Sequence, residues 1–227
     1  IKRQQACTSS NQHSIKEMIM AQVSEGSEGA DYIDRRFKDP GEGNDGDNIQ
    51  GLGGNDTILG GDGRDHISGG TGNDSINGGM GDDYGLNGDE GNDTIHGGHG
   101  VDWIYGGSGA DLLYGDAGSN YLLGGSGDDI YVHSGNDGFT FISDVYANGG
   151  GTDIVYFLGT TLDQLQFQID GNDLYLYTVA DTQDGTIDNG IAITNFFLGG
   201  DYLIEYVADQ NGTGLDLGAF FGMSMIG

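Results

Sequence analysis

The sequence predicts an all-β repeat solenoid, on the strength of a fixed period and two residue types locked to it. From Gly51 to Val132 the chain stacks in nines as GLGGNDTIL, GGDGRDHIS, GGTGNDSIN and GGMGDDYG with an insertion. It continues as GDEGNDTIH, GGHGVDWIY, GGSGADLLY, GDAGSNYLL and GGSGDDIYV. A Gly-rich half precedes an Asp at the sixth place, and a large apolar residue follows two places later. A flexible Gly/Asp-rich linker would have no need of aliphatic residues held in phase.

Each place has a physical task. The Gly-rich half makes a tight turn, because Gly takes positive φ at little cost and lets carbonyls crowd a ligand. The carboxylates of Asp56, Asp65, Asp74, Asp83, Asp93, Asp102, Asp111 and Asp129 supply hard oxygens, and calcium takes about six to eight of these. The three residues after each Asp suit a short strand pointing out, in, out. Ile58, Ile67, Ile76, Ile95, Ile104, Leu113 and Leu122 then line a narrow core.

This nonapeptide resembles the calcium-binding repeat of RTX proteins. The resemblance implies a right-handed parallel β-roll, two nonapeptides to a coil, with calcium between same-side turns of successive coils. It also implies the ligands: sixth-place oxygens, carbonyls near places two and four of one turn, and carbonyls near places one and three of its partner. Carried onto this chain, the side-chain ligands are Asp31, Asp47, Asp56, Asp65, Asp74, Asp83, Asp93, Asp102, Asp111, Asn120 and Asp129. The turn glycines are Gly54, Gly61, Gly63, Gly70, Gly72, Gly79, Gly81, Gly98, Gly100, Gly107, Gly109, Gly125 and Gly127. About ten nonapeptides, each paired with the one two places on, would hold about eight calcium ions.

The charge agrees with a cation as structural partner. The 227 residues include 36 acidic and 7 basic ones, for a formal net charge of −29. No Lys or Arg follows Arg64. Such a surface repels nucleic-acid phosphates and anionic lipid, and it strains a cation-free fold by self-repulsion. Cys7 is single, so no internal disulfide forms. There is no transmembrane run, and export without a cleavable N-terminal signal peptide is expected. The chain opens on Ile rather than Met and is expected to be the C-terminal piece of a longer protein.

Residues 1–25 stand apart as a helical or linker segment. Ser14-Ile15-Lys16-Glu17 reads as a capping box, and Ile15, Met18, Ile19, Gln22 and Val23 fall at helical spacing. They predict a short N-terminal helix covering one end of the roll; the alternative is the end of an upstream domain. A loose first repeat, Gly26 to Asp34, keeps Asp31 and Ile33 in phase. Arg35 to Gly41 breaks the period as a loop whose basic cluster either neutralises nearby carboxylates or meets a partner. The array resumes at Glu42 to Gln50 around Asp47. An extra residue near Gly85 predicts a bulge. Asn120 keeps an oxygen but loses the charge, so sites sharing it are expected to be weaker.

Outward strand positions turn apolar late in the array, at Trp103, Tyr105, Leu112, Tyr114, Tyr121, Leu123, Ile130 and Val132. Such a patch is covered by later residues or by a partner. Beyond Val132 the predicted strands are Phe139 to Val145, Asp153 to Phe157, Ile191 to Phe197 and Tyr202 to Val207. A hairpin of Gln166 to Ile169 and Leu174 to Val179 turns at Gly171-Asn172. Gly150-Gly151-Thr152-Asp153, Gly171-Asn172-Asp173-Leu174, Asn195-Phe196-Phe197 and Gly200-Asp201-Tyr202-Leu203-Ile204-Glu205 resemble the segment that follows RTX arrays. That resemblance implies a capping β domain over 133–227 beside a type I secretion signal, after a roll over 26–132. Thr140, where an Asp is usual, puts a site near Asp137 in doubt.

Catalytic signatures are missing: no His-Glu-x-x-His, no Gly-x-Ser-x-Gly and no P-loop. His66, His96, His99 and His133 read as surface residues, and no regular Thr row suits ice binding. The resemblance implies a secreted, non-enzymatic calcium-binding module, extracellular or at the cell surface, that folds on calcium after type I export. Its partners would be calcium, the type I secretion machinery and, through upstream domains, a host or cell-surface ligand. It would serve as the C-terminal folding and secretion module of a larger toxin, adhesin or surface protein. Alternatively it chaperones an upstream secreted lipase, protease or epimerase; self-assembly through the apolar outer strands is a third course.

Overall fold

In the computed structural model, residues 23–35, 46–135, 137–143, 151–178, 180, 187–198 and 204–222 are described. The out-in-out triplet after each sixth-place residue becomes a strand, in most repeats lengthened forward into the glycines of the next turn. In order these are β1 Val23–Ser27, β2 Tyr32–Asp34, β3 Asn48–Leu52, β4 Thr57–Asp62, β5 His66–Thr71 and β6 Ser75–Met80. Then come β7 Tyr84–Glu90, β8 Thr94–His99, β9 Trp103–Ser108, β10 Leu112–Tyr114, β11 Asn120–Ser126 and β12 Ile130–Ser134. The period ends there, and β13 Phe139–Ile142, β14 Ile154–Leu158, β15 Leu165–Asp170 and β16 Asp173–Thr178 follow. The last are β17 Gly190–Ile193, β18 Tyr206–Asp209 and β19 Gly214–Asp216.

Odd strands from β1 to β13 lie side by side in one sheet that continues through β17, β16 and β15. Even strands from β2 to β14 form the other, which continues through β18 and β19. Pairing is parallel throughout the array, so each coil lends one strand to each sheet. The apolar residues stack in register. Ile49, Ile67, Leu86, Ile104, Leu122 and Ile142 align in the odd sheet. Ile58, Ile76, Ile95, Leu113, Tyr131 and Val155 align in the even sheet. None is more than 2% exposed. Tyr131 takes an aliphatic place because its hydroxyl accepts the Gly124 N–H at 2.8 Å, which satisfies the polar tip inside the core.

The extra residue near Gly85 is absorbed as expected. The register shifts between Tyr84 and Leu86, and Gly85 sits at φ +97°. His66 Nδ1 lies 2.9 Å from the carbonyl of Tyr84 and braces the bulge. The hairpin also forms as expected, with β15 antiparallel to β16. β16 runs antiparallel to β17, and β19 to β18, so antiparallel strands bring both parallel ladders to an end.

Several expectations are corrected. Val23, assigned to an N-terminal helix, begins β1, which pairs with β3 from Val23 to Ser27. Val-Ser-Glu-Gly-Ser is a poor helix former, and the open edge of β3 offers it a template. The rest of that predicted helix, residues 1–22, lies outside the described residues. The α-helix among the described residues is α1, Leu217–Phe221, near the other end of the chain. Asp216 caps it by accepting the Ala219 N–H at 2.8 Å. The strand expected from Tyr202 begins at Tyr206, and Phe196–Leu198 form a 3-10 turn instead of extending β17.

The late outward positions behave differently from expectation as well. The described residues after Val132 extend the sheets end to end, and Trp103 and Tyr121 stay 39% and 38% exposed. These rings stack on one another across the strands: Tyr84 on Trp103 (6.4 Å), Trp103 on Tyr121 (4.7 Å) and Tyr121 on Phe141 (4.9 Å). Cross-strand aromatic contact of this kind stabilises a sheet face without a cover. Val132, by contrast, is buried.

Candidate metal centre

Parallel stacking brings the sixth-place side chains into two rows, one along each line of turns. After the first of each row, each sixth-place side chain accepts, through Oδ1, the backbone N–H of the sixth-place residue one coil earlier. In the row before the even strands these bonds run Asp31 to Asp56 (2.7 Å), Asp56 to Asp74 (2.7 Å), Asp74 to Asp93 (2.7 Å), Asp93 to Asp111 (2.8 Å) and Asp111 to Asp129 (2.9 Å). In the row before the odd strands they run Asp47 to Asp65 (2.6 Å), Asp65 to Asp83 (2.8 Å), Asp83 to Asp102 (2.9 Å) and Asp102 to Asn120 (2.9 Å). The bulge breaks neither row.

The second carboxylate oxygen is where the chemistry lies. Oδ2 of Asp56, Asp74, Asp83, Asp93, Asp102, Asp111 and Asp129 is buried without a hydrogen-bond partner. A buried carboxylate oxygen with no donor is costly, and a cation is the natural remedy. Oδ2 lies beside the first-place glycine of its own nonapeptide. A Cβ on Gly78 would collide with Asp83 Oδ2 and stand 2.7 Å from the Gly97 carbonyl oxygen of the next coil. Carboxylate and carbonyl oxygens thus converge on the space a side chain would fill. Among the described residues no group of three or more His, Cys, Asp or Glu side chains converges on one point, so a cation here needs backbone carbonyls as well. That suits a hard ion with many oxygen ligands.

Burial pushes these carboxyls above their usual range. Desolvation is the largest cause, opposed by the N–H from the preceding coil, and Asp56 and Asp74 are raised in this way. Asp83 is pushed up to about 8, Asp93 and Asp129 to about 7, Asp102 and Asp111 to about 6. For Asp83, the neighbouring Asp65 and Asp102 add to the rise.

The thirteen glycines singled out in the sequence all take positive φ, for example Gly54 at +105° and Gly63 at +120°. Their carbonyls at places two and four point along the stack at the next coil, as Gly54 O does toward Gly72. Third-place carbonyls already accept fourth-place N–H groups, as Thr71 does from Gly54 at 2.8 Å. Arg35 neutralises a carboxylate, its guanidinium lying 3.3 Å from Asp47; Arg36 to Gly41 lie outside the described residues. His66 and His99 are exposed and His96 half-buried, but His133 is buried, against expectation, and packs edge-on to Phe157.

Two residues escaped the periodic reading. Asp153 accepts the Asp129 N–H at 2.8 Å, and Glu205 accepts the Asp153 N–H at 2.7 Å. The even row therefore runs on into the final strands, and burial pushes Glu205 up to about 7. Gly151-Thr152-Asp153 preserves a fragment of the motif, whereas Glu205 has no periodic signal at all. A neutral ladder flanks the same row: Asn55 accepts from Asn73, Asn73 from Asn92 and Asn92 from Ala110, each at 2.9 Å.

Crowding at the first place gives a direct test. Gly78→Ala is expected to destabilise the fold by about 1–3 kcal/mol through overpacking, read as a lower thermal midpoint. Gly29→Ala, where a Cβ meets nothing within 4 Å, should stay within about 0.5 kcal/mol. Equal effects from the two substitutions would refute the crowding.

Comparison with known families gives a match to the model of the RTX calcium-binding nonapeptide repeat (4 copies), over residues 42–76, 59–84, 86–113, 97–131 and 105–138. The matched stretch is the array that carries both rows. A search of curated proteins found no match.

Proposed function

We propose, from the premise that this chain belongs to the RTX family through its repeats at residues 42–138, a secreted module that binds calcium along both rows of turns and folds as it does so. The observation that carries the proposal is the series of buried, partnerless Oδ2 atoms. Sixth-place oxygens and turn carbonyls would hold the ions, about eight of them if each same-side pair of turns takes one. Calcium would supply the positive charge that the carboxylates and the −29 chain lack.

Linkage gives the module its use. Binding free energy of a site absent from the unfolded chain is folding free energy. Extracellular calcium modules bind at about 10⁻⁴ to 10⁻³ M, so the chain would stay unfolded inside the cell, pass through a type I channel and fold outside. Residues 26–132 would be the roll, wound right-handed, and 133–227 its cap, at the C-terminus of a larger toxin, adhesin or surface protein. The module has no catalytic role in this proposal. Among the described residues no helix is long and apolar enough to cross a membrane.

Circular dichroism tests it. In chelator the chain should be largely disordered near neutral pH and become β-rich as calcium rises toward about 1 mM. Magnesium should replace calcium poorly, since it demands tight octahedral geometry and keeps its waters. A full β signal in chelator at neutral pH would refute calcium-coupled folding.

A further inference from the structure

The two rows of turns are not equivalent, and the difference centres on Asn120. On the rungs of Asp56, Asp74, Asp83, Asp93, Asp102, Asp111 and Asp129 the side chain uses Oδ1 for the N–H of the preceding coil and leaves Oδ2 without a donor. Asn120 also uses Oδ1 for that N–H, from Asp102 at 2.9 Å. This bond fixes the amide orientation, because an N–H needs an oxygen opposite it. Nδ2 therefore stands where the other rungs have Oδ2. It is the heavy atom nearest to a Cβ built on Gly115, at 2.9 Å, as Asp111 Oδ2 is at Gly106 and Asp129 Oδ2 at Gly124.

The amide hydrogens are occupied as well. Nδ2 donates to the Gly115 carbonyl at 2.8 Å and to the Asp116 carbonyl at 3.3 Å. Asn120 is fully buried, and its oxygen and nitrogen both have protein partners. An N–H dipole pointing into the turn opposes a cation, and the first-place carbonyl is engaged. The next residue in this row is no better suited, since Thr140 pairs in register with Asn120 and brings no carboxylate. Thr140 Oγ1 instead lies 3.4 Å from Nδ1 of the buried His133.

We infer that the odd row is closed to calcium beyond Asp102, and that Asn120 is a cation-independent staple holding that line of turns by hydrogen bonds alone. This rests on the calcium-binding function proposed above. Calcium then loads the module unequally. The even row carries carboxylates without interruption to Asp153 and Glu205, so the final strands are tied to the ions along one edge only.

The test is the number of calcium ions bound per chain, counted by native mass spectrometry on the full chain. Asn120→Asp replaces the donor by the missing oxygen and is expected to add one ion relative to the wild type. Asp111→Asn places the same amide on the even row and is expected to remove at least one. The second variant keeps the inference testable if the first fails to fold. An unchanged count in Asn120→Asp, or in Asp111→Asn, would overturn the inference. A wild-type chain that binds no calcium would refute the parent proposal instead, and is told apart by that result.

Discussion

With calcium chelated, stability should fall as pH rises from about 4 to 8, and saturating calcium should remove most of that slope. The groups responsible are Asp83, pushed up to about 8, Asp93, Asp129 and Glu205, to about 7, and Asp102 and Asp111, to about 6. In the unfolded chain a carboxyl of this kind titrates near about 4. Between those values the fold holds protons that the unfolded chain has released, so raising the pH favours unfolding. The stabilising effect of protonation is complete below the unfolded pKa and is lost as the pH passes through the folded ones. Calcium takes the place of those protons. Its binding would release them, so the loaded fold, like the unfolded chain, would carry few carboxyl protons above about pH 5 and its stability would stay level. The β signal in circular dichroism, followed from pH 4 to 8 with chelator and with calcium, decides the matter. Two parallel profiles would mean that the buried carboxylates are not where the ion and the proton compete.

The carboxylate rows and the core beside them were largely legible in the sequence, because period and chemistry coincide. Asp and Ile recur in the same phase, and parallel stacking turns one phase into a carboxylate row and the other into the core. The bulge was legible because one extra residue beside Gly85 has nowhere else to go. What the period does not encode was not legible. Asp153 and Glu205 stand 24 and 52 residues from their ladder partners, and strand pairing alone brings them into line. The role of the Asn120 amide depends on which of its two ends meets the Asp102 N–H, and composition is silent on that. Outward aromatics read as a surface awaiting a cover because the sequence does not show that strand spacing lets them stack. Val23 to Ser27 read partly as helix because the edge that recruits it is made by residues 48–52.

Truncation after Val132 should cost the module its ability to fold at calcium levels that fold the full chain. A solenoid coil is stabilised by its neighbours, and a terminal coil needs a cap. Here β13 pairs with β11, and β14 with β12. Ile142 covers Leu122, and Val155 covers Tyr131, in the same two stacks that run the length of the array. Beyond them Phe157, Leu174, Leu176, Ile191, Ile193, Phe196, Val207 and Leu217 are at most 3% exposed and belong to the same core. Each such side chain contributes about 1.5–3 kcal/mol when buried, so losing the cover of even the last coil outweighs a typical surface change. The cut also removes Asp153, leaving the Asp129 N–H without its acceptor, and opens two parallel edges of β11 and β12 to other chains. The calcium midpoint of the truncated chain should therefore rise by roughly tenfold or more, since every 1.4 kcal/mol is about a factor of ten. Aggregation should appear at concentrations where the full chain sediments as a single species. Calcium titration by circular dichroism and sedimentation velocity on both chains measure this. A truncated chain that keeps the midpoint and stays dispersed would show that the array ends itself at Val132 and that the later strands serve another purpose.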